Sequence, residues 1–457
     1  MKKVKDIKRI YFIGIGGIGM SALARYFKRE GAVVSGYDLV KSPLTLELES
    51  EGIKVYYKEK IKHIPDNVDL VVYTPAIPSN HKELLYCQQN DLPLKKRAEV
   101  LGLIGKGKQL IAVAGTHGKT TTSALITQLL NGGGKEVSAF LGGIMTRENT
   151  NFLHGNSNII VAEADEYDKS FLQLYPEILV ITSMDADHLD IYGNEESMID
   201  AYEQLTYQIK KKGILILGPD VIRKLSSSWL EKLRKRKIKV VRILRDFDFD
   251  KIKIEDGQYS FDVRIGDMWL RDLEMILPGM HNIINASVSI LVAKILGVDD
   301  RKIAMKLRHF KGIKRRFETV YKGDRVLIDD YAHHPEEINF AVKTVKDMYS
   351  EKKVLGIFQP HLYSRTRDFY KGFAKALAGL DGVIILPIYP ARELPIEGIT
   401  SDIIYNLIAM DEKYLVDEVD LIDTVKALKE YDVVITLGAS DLDKHHKKLV
   451  KELKKDR

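Results

Sequence analysis

The stretch QLIAVAGTHGKTTTS, residues 109–123, decides the fold class of this chain. Its first six residues are mainly apolar and typical of a buried strand, whereas the residues from Lys119 onward have the composition of a helix. Between them, Gly118, Lys119 and Thr120 match the end of the phosphate-binding pattern G-x-x-x-x-G-K-[ST], but Val113 occupies the position of its first glycine. The segment therefore predicts a shortened phosphate-binding loop between a strand and a helix.

The chemistry of this loop suits nucleotide phosphates. A Gly-Lys-Thr sequence at a strand–helix junction brings backbone amides, an ammonium group and a hydroxyl to one point, and β- and γ-phosphates and Mg²⁺ require these groups. The alternative is an ordinary turn that contains a lysine. The strand before the loop and the helix after it favour phosphate binding.

The rest of the chain has the pattern of an α/β protein. Short apolar runs alternate with amphipathic stretches, which indicates mostly parallel sheets, and 457 residues are too many for one core. Alternation within the segment 252–279, with turn signals at Asp256-Gly257 and Gly266-Asp267, predicts a few antiparallel strands. We predict three blocks, at residues 1–106, 107–313 and 314–457.

Composition excludes several classes of protein. The 70 basic residues are interspersed with 64 acidic ones, so the net charge of +6 does not form the basic surface that nucleic-acid binders carry. Cys87 is the sole cysteine, which excludes an intramolecular disulfide and a cysteine zinc site. No apolar run is long enough for a signal peptide or a membrane span. We expect a cytoplasmic protein that binds no nucleic acid and does not insert into a membrane.

A second glycine loop lies near the start of the chain, in the sequence GIGGIG. Gly14, Gly16 and Gly19 match G-x-G-x-x-G between a predicted strand and a predicted helix, and Asp38 closes the next strand about 20 residues later. Glycines let the backbone approach a diphosphate, whose charge the helix N-terminus favours. The alternative is a tight turn without a ligand. The pattern predicts a ligand that contains a nucleoside diphosphate, without identifying NAD.

Acidic residues follow two strands predicted in the second block. The segments are VAEADEYDKSFL, with Glu163, Asp165, Glu166 and Asp168, and MDADHLDIYG, with Asp185, Asp187, His188 and Asp190. Carboxylates at the end of a buried strand are costly unless they meet cations or water, and a neutral imidazole beside them can bind a divalent ion. We interpret them as a Mg²⁺ site near the Gly-Lys-Thr loop; the alternative is two solvated loops.

Two polar segments lie near the boundary between the second and third blocks. LPGMHNIINASVS places His281, Asn282 and Asn285 at the start of a helix, where the amides can contact an adenine edge or cap the helix. GIKRRFE offers Arg315 and Arg316, either as a surface charge pair or as an arginine that reaches the γ-phosphate.

Polar residues also end two strands of the third block. They are Asp329, Asp330, Tyr331, His333 and His334 in IDDYAHHPEEI, and Gln359, His361, Ser364 and Arg365 in FQPHLYSRT. Ligands bind at the carboxyl ends of strands in such sheets. Histidines beside an arginine suggest a site for a carboxylate, although a structural role for any one of them is the alternative.

In order along the chain, these segments resemble the Mur ligases. The resemblance covers essentially the whole chain. It rests on GIGGIGMSALA, GTHGKTTT, EADEYDKSFL, DADHLDIYG, HNIINA, KRRFE, DDYAHHP and FQPHLYSRT. It implies a Rossmann-like N-terminal domain that binds a UDP-sugar, a P-loop ATPase-like central domain and a Rossmann-like C-terminal domain that binds an amino acid.

The resemblance also implies roles for individual residues. The UDP-sugar would be bound by Gly14, Gly16, Gly17, Gly19 and Asp38. ATP would be bound by Gly115, Thr116, His117, Gly118, Lys119, Thr120, Thr121, Asn282, Asn285, Arg316 (or its neighbour Arg315) and Asp330. Mg²⁺ would be bound by Thr120, Glu166 and His188. The amino acid would be bound by Tyr331, His333, His361 and Arg365. The implied catalytic residues are Lys119, Arg316 and His333.

The activity implied is that of an ATP-dependent carboxylate–amine ligase of peptidoglycan precursor synthesis. Within the family, the chain is most similar to the branch that joins L-alanine to the lactyl carboxylate of UDP-N-acetylmuramate through an acyl phosphate. We expect a monomer or weak homodimer. One alternative is a murein-peptide ligase that attaches a preformed tripeptide to the same sugar nucleotide. The other is a nicotinamide-dependent oxidoreductase, which leaves the Gly-Lys-Thr loop unexplained.

Two departures from the family's pattern stand out. Several relatives carry a carbamylated lysine downstream of the DHLD-type segment, but here the next lysine is Lys210, so we expect no such bridge. Leu362 stands where some alanine ligases carry an arginine, which gives Arg365 more weight as the partner of the amino acid's carboxylate.

Overall fold

The computed structural model describes residues 3–185, 189–224, 226–243, 247–255, 258–391 and 393–454. They fall into two compact units. The first comprises Met1–Ile252, Ser260–Met275 and His281–Lys311, and the second comprises Lys253–Tyr259, Ile276–Met280 and Gly312–Arg457. The first unit therefore contains most of two predicted blocks, and the second contains the third.

The N-terminal block forms a parallel sheet with strand order β3-β2-β1-β4-β5. The central strand β1 is apolar after its first residue and is buried from Ile10 to Ile13, as a strand covered on both faces requires. Its elements are β1 (Arg9–Ile13), α1 (Ile18–Arg29), β2 (Val33–Tyr37), α2 (Pro43–Ser50), β3 (Lys54–Tyr56), β4 (Leu70–Tyr73), α3 (Lys82–Gln89), β5 (Leu94–Lys96) and α4 (Arg97–Gly105).

The central block forms a second sheet, with strand order β12-β11-β10-β6-β9-β7-β8. Its elements are β6 (Gln109–Ala114), α5 (Lys119–Gly132), β7 (Ser138–Met145), β8 (Thr150–Leu153), β9 (Ile159–Glu163), β10 (Ile178–Ile181), α6 (Leu189–Tyr192), α7 (Glu195–Tyr207), β11 (Ile214–Leu217), α8 (Ser227–Lys235) and β12 (Lys239–Arg242). Strand β6 runs parallel to both β9 and β10 and lies between them. The loop after β6 therefore emerges between the two predicted acidic strand ends.

The remainder of the central block forms a small sheet and two helices. Strands β13 (Phe247–Glu255), β14 (Gln258–Ile265) and β15 (Met268–Met275) are neighbours in that order, followed by α9 (Met280–Ile295) and α10 (Asp300–Arg308). The predicted turn at Gly266-Asp267 separates β14 from β15. The turn predicted at Asp256-Gly257 lies outside the described residues.

The C-terminal block forms a third sheet, with strand order β16-β17-β21-β18-β19-β20. Its elements are β16 (Glu318–Lys322), β17 (Val326–Asp330), α11 (Pro335–Met348), β18 (Val354–Phe358), α12 (Tyr363–Leu377), β19 (Gly382–Ile385), α13 (Asp402–Tyr405), β20 (Lys413–Leu415), α14 (Leu421–Ala427), β21 (Val433–Leu437) and α15 (His446–Leu453). Strand β16 is antiparallel to β17, and the other pairs are parallel. The polar segments after β17 and β18 lie on either side of the end of β21.

In the part of the chain that the structure describes, no helix combines the length and the apolar character needed to cross a bilayer.

Candidate functional site

The loop between β6 and α5 has a conformation that only glycine permits at two positions. Gly115 has φ +129°, and a Cβ there would lie 2.1 Å from the Thr182 hydroxyl oxygen. Gly118 has φ +81°, and a Cβ there would lie 2.7 Å from the Asn285 amide oxygen. L-residues with side chains rarely adopt such backbone angles. Both glycines of GTHG are therefore required by the loop's geometry, although the first glycine of the common pattern is missing.

Hydrogen bonds from the segment after β10 hold this loop in place. The Thr116 hydroxyl donates to the Asp185 carbonyl oxygen (2.8 Å), and the backbone N–H of His117 donates to the Ser183 hydroxyl (2.9 Å). Helix α5 begins at Lys119, so its first amides point out of the loop without intrahelical acceptors. The loop therefore has the geometry expected of an anion site at a helix N-terminus, and its binding of phosphate stays a prediction.

Lys119 folds back over the loop that carries it. Its Nζ donates to the carbonyl oxygens of Gly115 (2.6 Å) and Thr116 (3.1 Å) and to Glu166 Oε1 (2.8 Å). Burial opposes the positive charge, but Glu166 and Glu163 outweigh that effect and raise the pKa of Lys119. The lysine is charged at neutral pH and lies where phosphates bind in loops of this kind.

Glu163 is the acid that contacts Thr120, the predicted metal ligand. The Thr120 hydroxyl donates to Glu163 Oε1 (3.1 Å), and the backbone N–H of Gly142 donates to Glu163 Oε2 (2.8 Å). The sequence-based choice was Glu166, which instead pairs with Lys119. Glu163 was only one of four acids in the segment, and the signal that distinguishes it is its place as the last residue of β9. His188, the third predicted ligand, lies outside the described residues.

Asn282 and Asn285 lie beside the loop, inside helix α9. The helix begins at Met280, so neither asparagine is its N-cap, which removes capping as the explanation for them. Both are buried, and Asn285 accepts a hydrogen bond from the Thr122 hydroxyl (3.1 Å) and donates to Asn282 (3.3 Å). Burial and the neighbouring His117 lower the pKa of His281 to about 4.

Lys210 lies away from this loop. Its Nζ donates to the carbonyl oxygen of Lys108 (2.6 Å), and Lys108 precedes β6. Parallel strands β6 and β10 end at the opposite edge of the sheet, where the loop is. This location does not suit Lys210 to a metal bridge.

The first glycine loop leads from β1 into α1 as predicted. Gly14 has φ +87°, and Gly17 is the N-cap of α1. Asp38 accepts hydrogen bonds from the backbone N–H of Gly16 (2.7 Å) and of Val40 (3.1 Å). Its carboxylate therefore fixes the glycine loop, and its contact with a nucleoside stays a prediction.

In the second unit, Arg315 and Arg316 have different surroundings. Arg315 Nε donates to the buried Asp329 (2.9 Å) and its Nη2 donates to the Gly438 carbonyl oxygen (2.9 Å). Both guanidinium groups lie over the Tyr331 ring, at 5.0 Å from its centroid for Arg315 and 5.4 Å for Arg316. Because Arg315 connects β17 to the segment after β21, Arg316 is the better placed of the two to bind a ligand.

Asp330, at the end of β17, has a perturbed carboxyl group. Its oxygens accept hydrogen bonds from the backbone N–H groups of Phe317 (2.8 Å) and Ala332 (2.7 Å). Burial raises the pKa of Asp330 to about 7, against the opposing effect of Arg316. The group is therefore partly protonated at neutral pH.

His333 is neutral at pH 7 and has a defined tautomer. Its Nδ1 lies 2.8 Å from the carbonyl oxygen of Tyr331, which can only accept, so Nδ1 carries the proton and Nε2 keeps its lone pair. Burial, partly offset by Glu337, lowers the pKa of His333 to about 4, and Arg365 contributes to the shift. Nε2 is thus unprotonated at neutral pH, and the lowered pKa makes it a weaker base than a free imidazole.

His361 and His333 lie close together after β18 and β17, the two strands on either side of β21. Their ring centroids are 6.2 Å apart, and His361 stacks on Tyr389 at 5.9 Å. By contrast, His334 is the N-cap of α11, and Ser364 is bonded through its hydroxyl and its backbone N–H to Glu393. These last two contacts are structural.

Comparison with family models places the chain in one group along most of its length. Residues 9–109 match the model described as Mur ligase family, catalytic domain. Residues 113–293 match the Mur ligase middle domain, and residues 315–440 match the glutamate ligase domain of Mur ligases.

Comparison with individual proteins gives the same result. A UDP-N-acetylmuramate–L-alanine ligase from Cytophaga hutchinsonii is 45% identical over 450 residues, covering 96% of this chain and 95% of the relative. One from Christiangramia forsetii is 43% identical, with 99% of each chain covered. The crystal structure of a UDP-N-acetylmuramate-alanine ligase from Thermotoga maritima superposes with a TM-score of 0.81 at 27% identity, covering 97% of this chain and 98% of the other.

Proposed function

Because this chain belongs to the Mur ligase family, we propose that it is an ATP-dependent ligase that joins L-alanine to the lactyl carboxylate of UDP-N-acetylmuramate. The observation that carries the proposal is the preformed anion loop flanked by acidic strand ends, in a chain whose relatives named for this reaction match it from end to end. The reaction belongs to peptidoglycan precursor synthesis.

The triphosphate of ATP is assigned to the loop after β6. The residues from Gly115 to Thr121 supply amides and hydroxyls, and Lys119 supplies the cation. Asn282 and Asn285 are assigned to the adenine because Asn285 lies against Gly118 and is hydrogen-bonded to Asn282. Arg316 is assigned to the γ-phosphate and Asp330 to the ribose.

The donor set beside the loop fits a divalent cation. Thr120 and Glu163 together present a hydroxyl and a carboxylate oxygen, the hard ligands that Mg²⁺ prefers. When bound, Mg²⁺ supplies charge neutralisation between the carboxylate nucleophile and the phosphate. Glu166 can bind Mg²⁺ only if Lys119 moves to the phosphates and releases its carboxylate. His188 remains a further candidate.

The acceptor end is assigned to the strand ends of the second unit. Arg365 is assigned to the carboxylate of L-alanine, with Tyr331, His333 and His361 around the amino acid. The incoming amine must lose a proton, and Nε2 of His333 is unprotonated at pH 7 and can accept it.

The reaction then has two steps. The lactyl carboxylate oxygen attacks the γ-phosphorus, and the bond from the γ-phosphorus to the β–γ bridging oxygen breaks. The products of this step are ADP and an acyl phosphate. The amine nitrogen of L-alanine attacks the acyl carbon, and inorganic phosphate leaves as the amide forms. Lys119 stabilises the phosphates in the first step. Because water would hydrolyse the acyl phosphate, the residues around it must exclude solvent.

Release of ADP tests the proposal directly. The purified protein, with ATP and Mg²⁺, is incubated with UDP-N-acetylmuramate and each of L-alanine, L-serine and glycine. We expect ADP release that requires both the sugar nucleotide and an amino acid and is fastest with L-alanine. No release with any of the three would contradict the assignment.

The same assay separates the closest alternative. A murein-peptide ligase would release ADP faster with a preformed tripeptide than with L-alanine. The oxidoreductase alternative predicts a change in nicotinamide absorbance during the reaction. It does not explain the arrangement of Lys119, Thr120 and Glu163.

Three further assignments belong to this proposal. The domain limits are 1–106, 107–313 and 314–457, the protein is a monomer or weak homodimer, and it acts in the cytoplasm. Limited proteolysis and sedimentation would test the first two.

A further inference from the structure

A cavity of about 340 Å³ lies in the first unit between the glycine loop and the acidic end of β9. Gly17 and Gly19 form one wall, and Glu163 and Asp165 form another. Among the described residues that line the cavity, Arg97 is the only cation. A ligand with several negative charges that enters this cavity must therefore meet Arg97.

Arg97 lies directly on Gly19, the third glycine of the G-x-G-x-x-G pattern. A Cβ built on Gly19 would be 2.9 Å from Nη1 of Arg97 and 3.0 Å from its Cδ. In dinucleotide-binding loops the third glycine allows a helix to pack closely on a strand. Here the absent side chain makes room for a guanidinium.

This position is electrostatically unfavourable unless an anion accompanies it. Gly19 is in the first turn of α1, a twelve-residue helix whose N-terminus carries partial positive charge. A cation there is repelled by the helix dipole. A negative group between the guanidinium and the helix amides reverses the sign of the interaction, and a diphosphate is such a group.

Asp165 supplies the anion in the present structure. Arg97 Nη2 lies 2.9 Å from Asp165 Oδ2, and the exposed fractions of the two side chains are 17% and 41%. The more exposed carboxylate can turn into solvent without leaving a buried charge. Arg97 can therefore exchange Asp165 for an incoming phosphate at little cost.

We propose that Arg97 binds the diphosphate of the sugar nucleotide and exchanges its ion pair with Asp165 for that contact. The proposal rests on the proposed function only for the identity of the ligand. The planar guanidinium presents two N–H groups that match two phosphate oxygens, which a lysine cannot reproduce. The α1 amides and Arg97 would then contact the same diphosphate from two sides.

A neighbouring ion pair provides a matched control. Lys96 Nζ lies 2.8 Å from Asp168 Oδ2, so it also links the N-terminal block to the segment after β9. Lys96 is absent from the cavity lining. Removing it weakens the contact between the two blocks without touching the cavity.

Equilibrium binding of UDP and of uridine to the full-length protein tests the proposal. Arg97→Ala is expected to weaken UDP binding by about 10- to 100-fold, the effect of one charge-assisted hydrogen-bond pair. Uridine binding is expected to change less than about 2-fold. Arg97→Lys, which keeps the charge, should recover part of the loss and shows that the effect is not misfolding. Lys96→Ala should bind UDP as the unaltered protein does.

Three results would overturn the proposal: UDP affinity within 2-fold of normal in Arg97→Ala, equal loss for UDP and uridine, or equal loss in Lys96→Ala. The binding measurement does not depend on ligation. Failure of the proposed function would instead show as missing ADP release in the unaltered protein, so the two failures are distinguishable.

Discussion

At the scale of single residues, the Lys119–Glu166 ion pair determines how a substitution of Lys119 affects activity and stability. Glu166 is 2% exposed, and Lys119 Nζ is 2.8 Å from it. We predict that Lys119→Ala lowers ADP release by at least about 1,000-fold, because the loop loses its own cation for the phosphates. It should also lower the free energy of unfolding by about 3 kcal/mol, because a buried carboxylate loses its partner.

The double variant Lys119→Ala/Glu166→Gln separates these two effects. Neutralising the carboxylate should restore most of the melting temperature while activity stays low. If the double variant is as unstable as the single one, the ion pair does not explain the loss.

His333 gives a second prediction at this scale, on pH dependence. Its pKa is lowered to about 4, below the value of about 6.5 for a free imidazole. The neutral form therefore persists as pH falls through 6.5 and is lost only near 4. With saturating L-alanine, we expect His333 to cause no inflection in the pH profile of kcat near pH 6.5. The His333→Gln variant should nevertheless have a lower kcat than the unaltered protein at pH 7. An inflection near 6.5 that His333→Gln removes would contradict the assignment.

Single residues also mark the limit of prediction from the sequence. The segment EADEYD indicates acids near the loop, but the sequence does not distinguish the role of Glu163 from that of Glu166. Only the place where β9 ends and the turn that follows it direct Glu163 to Thr120 and Glu166 to Lys119. Arg97 carried no signal in the sequence, because its contact with Gly19 joins segments about 80 residues apart.

At the scale of elements, the loop between β6 and α5 depends on a close approach at Gly118. Gly118 and Gly107 have φ of +81° and +80°, but a Cβ would contact Asn285 at 2.7 Å in the first case and would meet no atom within 4 Å in the second. We predict that Gly118→Ala weakens ATP binding by at least about 10-fold more than Gly107→Ala does. Both substitutions carry the same cost in φ, so the difference reports the clash with Asn285. Titration with ATP and thermal unfolding measure this difference. Equal effects would show that only the backbone angle matters.

Elements were predicted well where a strand was long and apolar. The strands β6, β9 and β10, the helix that begins at Lys119 and the parallel sheets agree with the structure. The β7–β8 hairpin was missed, because β7 contains Gly142 and Gly143 and β8 is short and lies in a polar stretch. Both strands contact α1 of the preceding block, and such distant contacts are not visible in the local sequence.

At the scale of the whole molecule, the first two blocks are joined through Asn151. This side chain is fully buried; it accepts a hydrogen bond from Arg25 and donates to the Ser21 hydroxyl at 2.9 Å. We predict that Asn151→Ala lowers the free energy of unfolding by about 2–4 kcal/mol, because Arg25 and Ser21 lose a buried partner. Calorimetry should show the loss.

The exposed Asn156→Ala is the control, since its amide makes one long contact to Glu136 at 3.3 Å. We expect it to melt as the unaltered protein does. A normal melting curve for Asn151→Ala would mean that the other contacts between the blocks, including the Lys96–Asp168 and Arg97–Asp165 ion pairs, hold them together without Asn151. Membership of the Mur ligase family and the α/β organisation in three domains, both predicted from the ordered motifs, are confirmed by the comparisons.

The position of Lys119 has a consequence for inhibitor chemistry. Its ammonium group donates to two carbonyl oxygens and a carboxylate, one bond for each of its three hydrogens. A compound that mimics only a purine leaves those bonds intact, whereas a compound with a phosphate surrogate must break them before any new contact forms. Anionic phosphate mimics therefore lose part of their binding free energy in breaking these bonds. Small neutral heterocycles that leave the lysine undisturbed do not have this cost.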